Sequence, residues 1–168
     1  EAVRSIGDSG EASRMEDILT AYQDAEAQVR VLATRYLPTF APRRCGSLLR
    51  QRIDGEDFEE RSPREQAALY TAYAHSGAPE AVEFFREKLR ASSLFGKKRL
   101  QDEKRHLITT LALSGSLIGL QVLEGELKAG VKDKELEAFM NRALAKARQK
   151  ISLGKSSRDA SQEGDAHD

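Results

Sequence analysis

Cysteine, tryptophan, proline and net charge are scarce in this sequence, and the shortages of cysteine and of net charge each exclude a class of protein. The 168 residues include one cysteine, four prolines, no tryptophan, four tyrosines and six phenylalanines. A lone cysteine, Cys45, excludes an internal disulfide and a zinc site made of several cysteines, and we expect it to be small and partly buried. Basic and acidic side chains number 27 each. This balance argues against a uniformly basic nucleic-acid binder and a uniformly acidic disordered chain.

Long apolar runs are also absent. No stretch approaches the roughly 20 apolar residues that span a bilayer, and no basic start followed by an apolar run marks a signal peptide. We therefore expect no membrane association and a cytoplasmic, reducing location. Residue 1 is a glutamate, and residues 2–7 have the pattern of a helix end. We expect the chain to be the C-terminal piece of a longer protein.

What the sequence does contain is apolar side chains spaced by three and four residues, which predicts amphipathic helices along most of the chain. No segment alternates apolar and polar residues with a period of two, so no strand is predicted. The clearest helix start is at Ser62, where Pro63 suits the first helical position and Glu65 can complete a capping box. Connections are predicted at 38–42, 54–61 and 92–101. Residues 153–168 are almost entirely polar, so we expect a disordered tail after an array over residues 1–152.

Two segments repeat when residues 69–89 are aligned with residues 107–127. The offset is 38 residues, and the matched pairs are Leu69 with Leu107, Tyr73 with Leu111, Ser76 with Ser114, Gly77 with Gly115, and Phe85 with Leu123. The same frame returns 70 residues earlier, where Val3, Gly7 and Met15 match Tyr73, Gly77 and Phe85. Each helix–turn–helix unit leaves an apolar face that only its neighbours can cover, so the units should stack. The fold prediction is all-α: a right-handed α-solenoid of about four antiparallel helix pairs.

The first repeat resembles the bacterial HEAT-like repeats, including those called phycobilin-lyase-type HEAT repeats. The residues that carry the resemblance are the helix end and turn at 2–8, Ile18-Leu19, Asp24, Val29-Arg30, and Ala33 with Leu37. Later repeats keep the glycine turn and the apolar spacing but lose the aspartate and the Val-Arg pair. The resemblance covers about residues 1–150 and implies a HEAT-like superhelix.

A second solenoid class competes for the middle of the chain. Residues 70–77, followed by Ala81 and Phe84-Phe85, are also similar to a tetratricopeptide or pentatricopeptide repeat. Those families keep a strict unit of 34 or 35 residues, whereas the best alignment here has an offset of 38. The HEAT-like interpretation is therefore favoured, and both give the same fold class.

Residues suited to catalysis or to binding a cofactor or a metal are not grouped in the sequence. His75 is interpreted as a helix-end residue, His106 as solvent-facing and His167 as part of the tail. No two histidines share the spacing of a zinc-binding helix. Gly154-Lys155-Ser156 resembles the end of a phosphate-binding loop, but the glycine required five residues earlier is Gln149. We therefore predict no catalytic, cofactor-binding or metal-binding residue.

Charge is unevenly distributed along the chain. Residues 1–28 hold seven acids and two arginines, residues 29–53 six arginines and no acid, and residues 54–65 six acids and two arginines. Residues 86–105 hold eight bases and three acids. In a stacked array these blocks would form charged strips, which either pair with one another or bind an acidic partner.

The functional prediction is a non-catalytic scaffold that binds another protein with an acidic surface. The candidate docking residues are Arg43, Arg44, Arg50, Arg52, Leu94, Phe95, Lys97, Lys98 and Arg99. The alternatives are a tetratricopeptide-like adaptor, a lyase-type enzyme subunit, and a nucleic-acid-binding solenoid. The last is disfavoured because no aromatic residues are interleaved with the bases for stacking.

Overall fold

A computed structural model describes the backbone of residues 15–40, 44–92 and 96–163, and side chains as far as residue 152. Within these ranges the chain forms eight α-helices and one short 3-10 helix, with no strand. The predicted all-α class is therefore confirmed. The chain divides into two compact units, one ending at Ala81 and the other beginning at Val82. Each unit is described separately below.

The first unit is built around helix α2. Its elements are α1 (Met15–Tyr22), α2 (Ala27–Phe40), α3 (Cys45–Ile53), a 3-10 helix (Glu56–Phe58) and α4 (Pro63–His75). Helix α2 packs against α1, α3 and α4, and α3 packs against α4. The core consists of large side chains that are almost fully buried: Ile18, Leu37, Leu49, Leu69 and Tyr73. Each such side chain stabilises the fold by about 1.5–3 kcal/mol relative to its exposed state.

The second unit is built around a long C-terminal helix. Its elements are α5, which starts at the unit boundary (Ala81–Arg90), α6 (Lys97–Ser114), α7 (Leu117–Ala129) and α8 (Lys134–Glu163). Helices α6, α7 and α8 pack against one another. The fully buried side chains are Phe85, Ile108, Leu111, Leu123, Val122 and Met140.

The predicted turn at Gly77 recurs at Gly115, 38 residues later. Both glycines have a left-handed backbone, with φ of 68° and 71°. The Ser76 hydroxyl donates to the Tyr73 carbonyl (2.7 Å) and accepts from the Ala78 amide (3.2 Å). At the second turn the Ser114 hydroxyl donates to the carbonyl of Leu111 (2.7 Å) and accepts from the amide of Ser116 (3.1 Å). The offset of 38 therefore holds atom by atom in these turns. The earlier copy, with Val3 and Gly7, lies outside the described residues.

Several predicted boundaries are wrong. Helix α2 continues through Pro38 to Phe40. Proline removes one backbone hydrogen bond from the helix. The burial of Leu37 and Phe40 in the core offsets this loss. Lys97, Lys98 and Arg99 lie in the first turn of α6 rather than in a loop. This helix starts directly after Gly96, whose left-handed φ of 73° ends the preceding connection.

The final helix is longer than the sequence predicts. Helix α8 is assigned through Glu163, so its backbone continues into the polar segment 153–168. A helix that has already formed gains one hydrogen bond for each added residue, whereas a new helix must first overcome the cost of nucleation. Asp133 caps this helix, because its carboxylate accepts from the amides of Glu135 and Leu136 at 2.9 and 3.0 Å.

Candidate partner-binding groove

The candidate docking residues divide between the two units. Arg44, Arg50 and Arg52 belong to α3 or its N-cap in the first unit, and Lys97, Lys98 and Arg99 belong to α6 in the second. Arg43, Leu94 and Phe95 lie outside the described residues. The structure therefore presents two separate basic groups, and each is considered in its own unit.

The arginines of α3 are mostly engaged within their own unit. Arg50 forms an ion pair with Asp54 one turn later, and the Arg52 guanidinium lies over the Tyr22 ring, 5.3 Å from its centroid. Arg44 is exposed and forms no ion pair with another described residue. For Arg50 and Arg52 the structure thus favours internal contacts over a free docking surface.

The bases at the start of α6 are more accessible. Lys97, Lys98 and Arg99 are all exposed, and Arg99 pairs with Glu103 at 2.7 Å. Three cations in the first turn oppose the positive end of the helix dipole. This arrangement is locally unfavourable and leaves a basic helix start in water.

A buried carboxylate organises the polar part of the first unit. Glu65 is 4% exposed, and its carboxylate accepts two hydrogen bonds from Arg30, at 2.7 and 3.0 Å. Arg61 also pairs with Glu65 and bonds to Asp57. The hydrogen bonds from Arg30 are the main reason that the pKa of Glu65 lies below its ordinary value.

This network corrects the predicted capping box. Ser62 does cap α4, since its hydroxyl accepts from the Glu65 amide at 3.3 Å. The Glu65 side chain, however, binds two guanidinium groups instead of the Ser62 amide. Hydrogen bonds between ions are about twice as strong as neutral ones, so the arginines compete successfully.

An open polar cleft of about 520 Å³ borders the Glu65 network. Its charged lining residues are four acids and three arginines: Asp24, Asp57, Glu60 and Glu65, with Arg30, Arg52 and Arg61. Arg30 and Arg61 are already bound to Glu65. We therefore interpret the cleft as the solvent-facing side of a structural ion-pair network.

A second arginine–carboxylate pair lies in the second unit. Glu126 of α7 is 8% exposed and accepts from Arg90 of α5 at 2.8 and 3.1 Å. Arg86 lies 3.8 Å from the same carboxylate. Glu126 follows Arg90 by 36 residues, and Glu65 follows Arg30 by 35 residues, so the two pairs have almost the same separation in sequence. Arg30 and Glu65 belong to two of the charge blocks of the sequence, as the charge-pairing interpretation predicts, whereas Glu126 lies outside these blocks.

The strongest candidate for partner binding is an apolar groove between α6 and α8. Its lining, called the groove from here on, is Thr109, Ala112, Leu113, Phe139, Arg142, Ala143 and Lys146, around a volume of about 150 Å³. Leu113 is 54% exposed although it borders the buried Ala112. A single exposed leucine is ordinary in a protein surface. Here it lines a concave site together with the half-buried Phe139, which makes the groove a candidate binding surface.

The groove has a basic rim. The guanidiniums of Arg105 and Arg142 lie 5.9 and 6.0 Å from the centroid of the Phe139 ring. Lys150 reaches back from α8 and donates to the Leu113 carbonyl. Arg105 is paired with Glu135 at 3.4 Å, where both side chains are exposed. From residue 138 to residue 152 the helix carries four bases and no acid: Arg142, Lys146, Arg148 and Lys150.

The groove is not among the sites predicted from the sequence, although one sequence signal points to an exposed apolar residue there. In the 38-residue alignment Leu113 corresponds to His75, which ends its helix and is exposed. A leucine at a position that is polar and exposed in the aligned segment is a candidate for an exposed apolar residue. The prediction for His75 is confirmed. That for His106 is wrong, because His106 is only partly exposed and its Nε2 is buried without a hydrogen-bond partner.

Two further features of the described residues bear on function. They contain no cluster of three or more His, Cys, Asp or Glu side chains that could hold a metal ion. None of their helices combines the length and apolar character needed to cross a bilayer. Cys45, expected to be partly buried, is fully buried, and burial raises the pKa of its thiol.

Comparisons with known proteins add no relative. The chain matches no protein-family model, no curated protein and no solved structure. The HEAT-like resemblance therefore stays a prediction from the residues that carry it.

Proposed function

We propose that this chain is a non-catalytic protein-interaction module that binds an acidic segment of a partner protein in the groove. The observation that carries the proposal is the position of Leu113, 54% exposed beside Phe139 and bordered by Arg142 and Lys146. Apolar floors with charged rims are the usual plan of a protein interface.

The chemistry of the groove selects its occupant. Its floor, made of Ala112, Leu113, Phe139 and Ala143, accepts one large apolar side chain, such as leucine or phenylalanine. Burying such a side chain contributes about 1.5–3 kcal/mol. Carboxylates on either side of that anchor would lie against Arg142 and Lys146. The expected partner segment is therefore acidic, with a central apolar residue.

The proposed scaffold is the helical repeat array predicted from the sequence, an α-solenoid of HEAT-like type working in the cytoplasm. The recurrence of the turn at Gly77 and Gly115 supports a repeat. The basic start of α6, with Lys97 and Lys98, supplies a second place where an acidic partner can bind. The tetratricopeptide-like adaptor keeps the same function with another repeat geometry.

Peptide selection provides the test. A library of short random peptides, displayed on phage, is panned against the chain, and selected peptides are measured by calorimetry. We expect enrichment of sequences with a leucine or phenylalanine flanked by Asp and Glu. In Leu113→Glu the affinity of these peptides should fall about tenfold or more, because the substitution removes the apolar contact and adds a like charge.

The matched control is Leu117→Glu, which changes another exposed leucine outside the groove lining. Peptide affinity should stay within about twofold in this variant. Enrichment of basic peptides, or equal binding by wild type and Leu113→Glu, would overturn the proposal. Competition by duplex DNA for the groove at about 0.15 M salt would also overturn the proposal. Self-association of the chain that Leu113→Glu abolishes would overturn it as well.

A further inference from the structure

The second unit contains another concave site, distinct from the groove in its lining. Its volume is about 430 Å³, within the usual range of small-molecule sites. Apolar side chains of Leu89, Val131, Leu136 and Met140 form part of the wall. The charged lining residues are Arg90, Lys104, Glu126, Lys132 and Asp133. This site is called the Lys104 cavity below.

Both acids of the Lys104 cavity are already engaged. Arg90 holds the two oxygens of Glu126 at 2.8 and 3.1 Å. One Asp133 oxygen accepts from the first amides of α8, and the other accepts from the Gln101 side chain at 2.9 Å. Glu126 is therefore paired with a cation, whereas Asp133 is hydrogen-bonded by neutral groups and acts on Lys104 only through its charge.

Lys104 is the charged residue of the cavity that takes no part in these contacts. It projects from α6, is only partly exposed, and forms no hydrogen bond or ion pair with any other residue that the structure describes. Burial lowers the pKa of Lys104, and the charge of Asp133 offsets this only in part. A partly buried ammonium group that lacks a bonded partner costs free energy, which an anion entering the cavity would recover.

We propose that the Lys104 cavity binds a small carboxylate with an apolar body, and that the Lys104 ammonium pairs with the carboxylate. The wall of Leu89, Leu136 and Met140 suits an aliphatic or aromatic body. The exposed Lys132 adds a second positive charge at the site. The charged lining holds three cations, Arg90, Lys104 and Lys132, against the two carboxylates of Glu126 and Asp133, so its net charge is plus one.

Hexanoate and hexanamide form a matched pair of probes, equal in size but different in charge. Binding is measured by ligand-observed NMR and by ¹⁵N shifts of the intact chain. We expect hexanoate to bind and to shift residues around Lys104, and hexanamide to bind about tenfold more weakly or worse. In Lys104→Met, which keeps an unbranched side chain one atom shorter and removes the charge, hexanoate should lose affinity to about the same extent.

Two variants keep the result interpretable. Lys98→Met removes an exposed charge from the same helix and should leave hexanoate binding within about twofold. Leu113→Glu changes the groove alone and should also leave it unchanged, so this proposal can fail while the groove proposal stands. Equal binding of hexanoate and hexanamide, undiminished binding by Lys104→Met, or loss of binding in Leu113→Glu would overturn the assignment. Circular dichroism on Lys104→Met checks that the fold is retained.

Discussion

Arg30 and Glu65 are 35 residues apart in sequence, yet the guanidinium of one holds both oxygens of the other's carboxylate, at 2.7 and 3.0 Å. Arg30 lies in the first turn of α2 and Glu65 in the first turn of α4, so the pair joins the two helices near their starts. Their side chains are 18% and 5% exposed. The contact is therefore mostly shielded from solvent and from salt.

Removing the charge of Glu65 should destabilise the chain. In Glu65→Gln two guanidinium groups lose their charged acceptor, and breaking a buried pair from one side costs about 2–4 kcal/mol here, allowing for the partial exposure of Arg30. The free energy of unfolding is measured by urea denaturation. Glu56→Gln, at an exposed acid of the 3-10 helix, is the control and should change it by less than about 0.5 kcal/mol. Equal effects of the two substitutions would contradict this account.

The same residue should make stability sensitive to acid. The pKa of Glu65 is lower in the folded chain than its ordinary value, so the unfolded chain takes up the proton first as pH falls. Its contribution is complete above the ordinary carboxyl range, about pH 4.5, and is lost as pH falls through the depressed folded pKa. The difference in unfolding free energy between wild type and Glu65→Gln should therefore shrink below about pH 4.5. A difference in unfolding free energy that stays constant down to pH 2 would show that the charge of Glu65 does not stabilise the fold.

Gly77 should be replaceable only by residues that tolerate a left-handed backbone. Nothing lies within 4 Å of a Cβ built on it, so the cost of substitution is conformational, not steric. Gly77→Val should lower the unfolding free energy by about 1–2 kcal/mol or more, because a β-branched residue resists positive φ. Gly77→Asn should cost clearly less, since asparagine visits this region readily. If both variants were as stable as wild type, the turn would not depend on its glycine.

Two glycines of α7 should respond in opposite ways to alanine. A Cβ at Gly119 would lie 2.7 Å from the Leu111 carbonyl oxygen, so α6 and α7 would have to move apart. A Cβ at Gly125 would meet only the end of the Arg86 side chain, which can swing away. Gly119→Ala should therefore destabilise by about 1–3 kcal/mol. Gly125→Ala should be neutral or stabilise by up to about 1 kcal/mol through helix propensity. Thermal unfolding of the two variants side by side measures the contrast.

The sequence predicted the elements well wherever a local rule determined them. Ser62 with Pro63, Asp133, and the Ser-Gly turns at 76 and 114 are local signals, and each holds in the structure. The Glu65 carboxylate could not be assigned in this way, because its partner Arg30 lies on another helix. Phe58 was placed in a polar connection, but it is buried against Tyr70, with ring centroids 5.2 Å apart.

The candidate sites were harder to predict, because each is lined by residues from different helices. The groove joins Leu113 to Phe139, and the Lys104 cavity joins α6 to Glu126 and Asp133 of later elements. Sequence patterns show which residues share one helix face, but not which faces of two helices leave a space between them. Of the docking residues predicted from charge, Lys97 and Lys98 are exposed, whereas Arg50 and Arg52 contact their own unit.

The single thiol of the chain gives the first unit a reporter of its own. Cys45 is 0% exposed, and the sequence contains no other cysteine. A thiol reagent can therefore modify the folded chain only when the region around α3 opens, and the second unit contributes no background. The labelling rate, compared with that of the unfolded chain, measures the free energy of that local opening. Repeated in Glu65→Gln, this measurement would tell whether the Arg30–Glu65 pair limits the opening of α3 or only the unfolding of the whole chain.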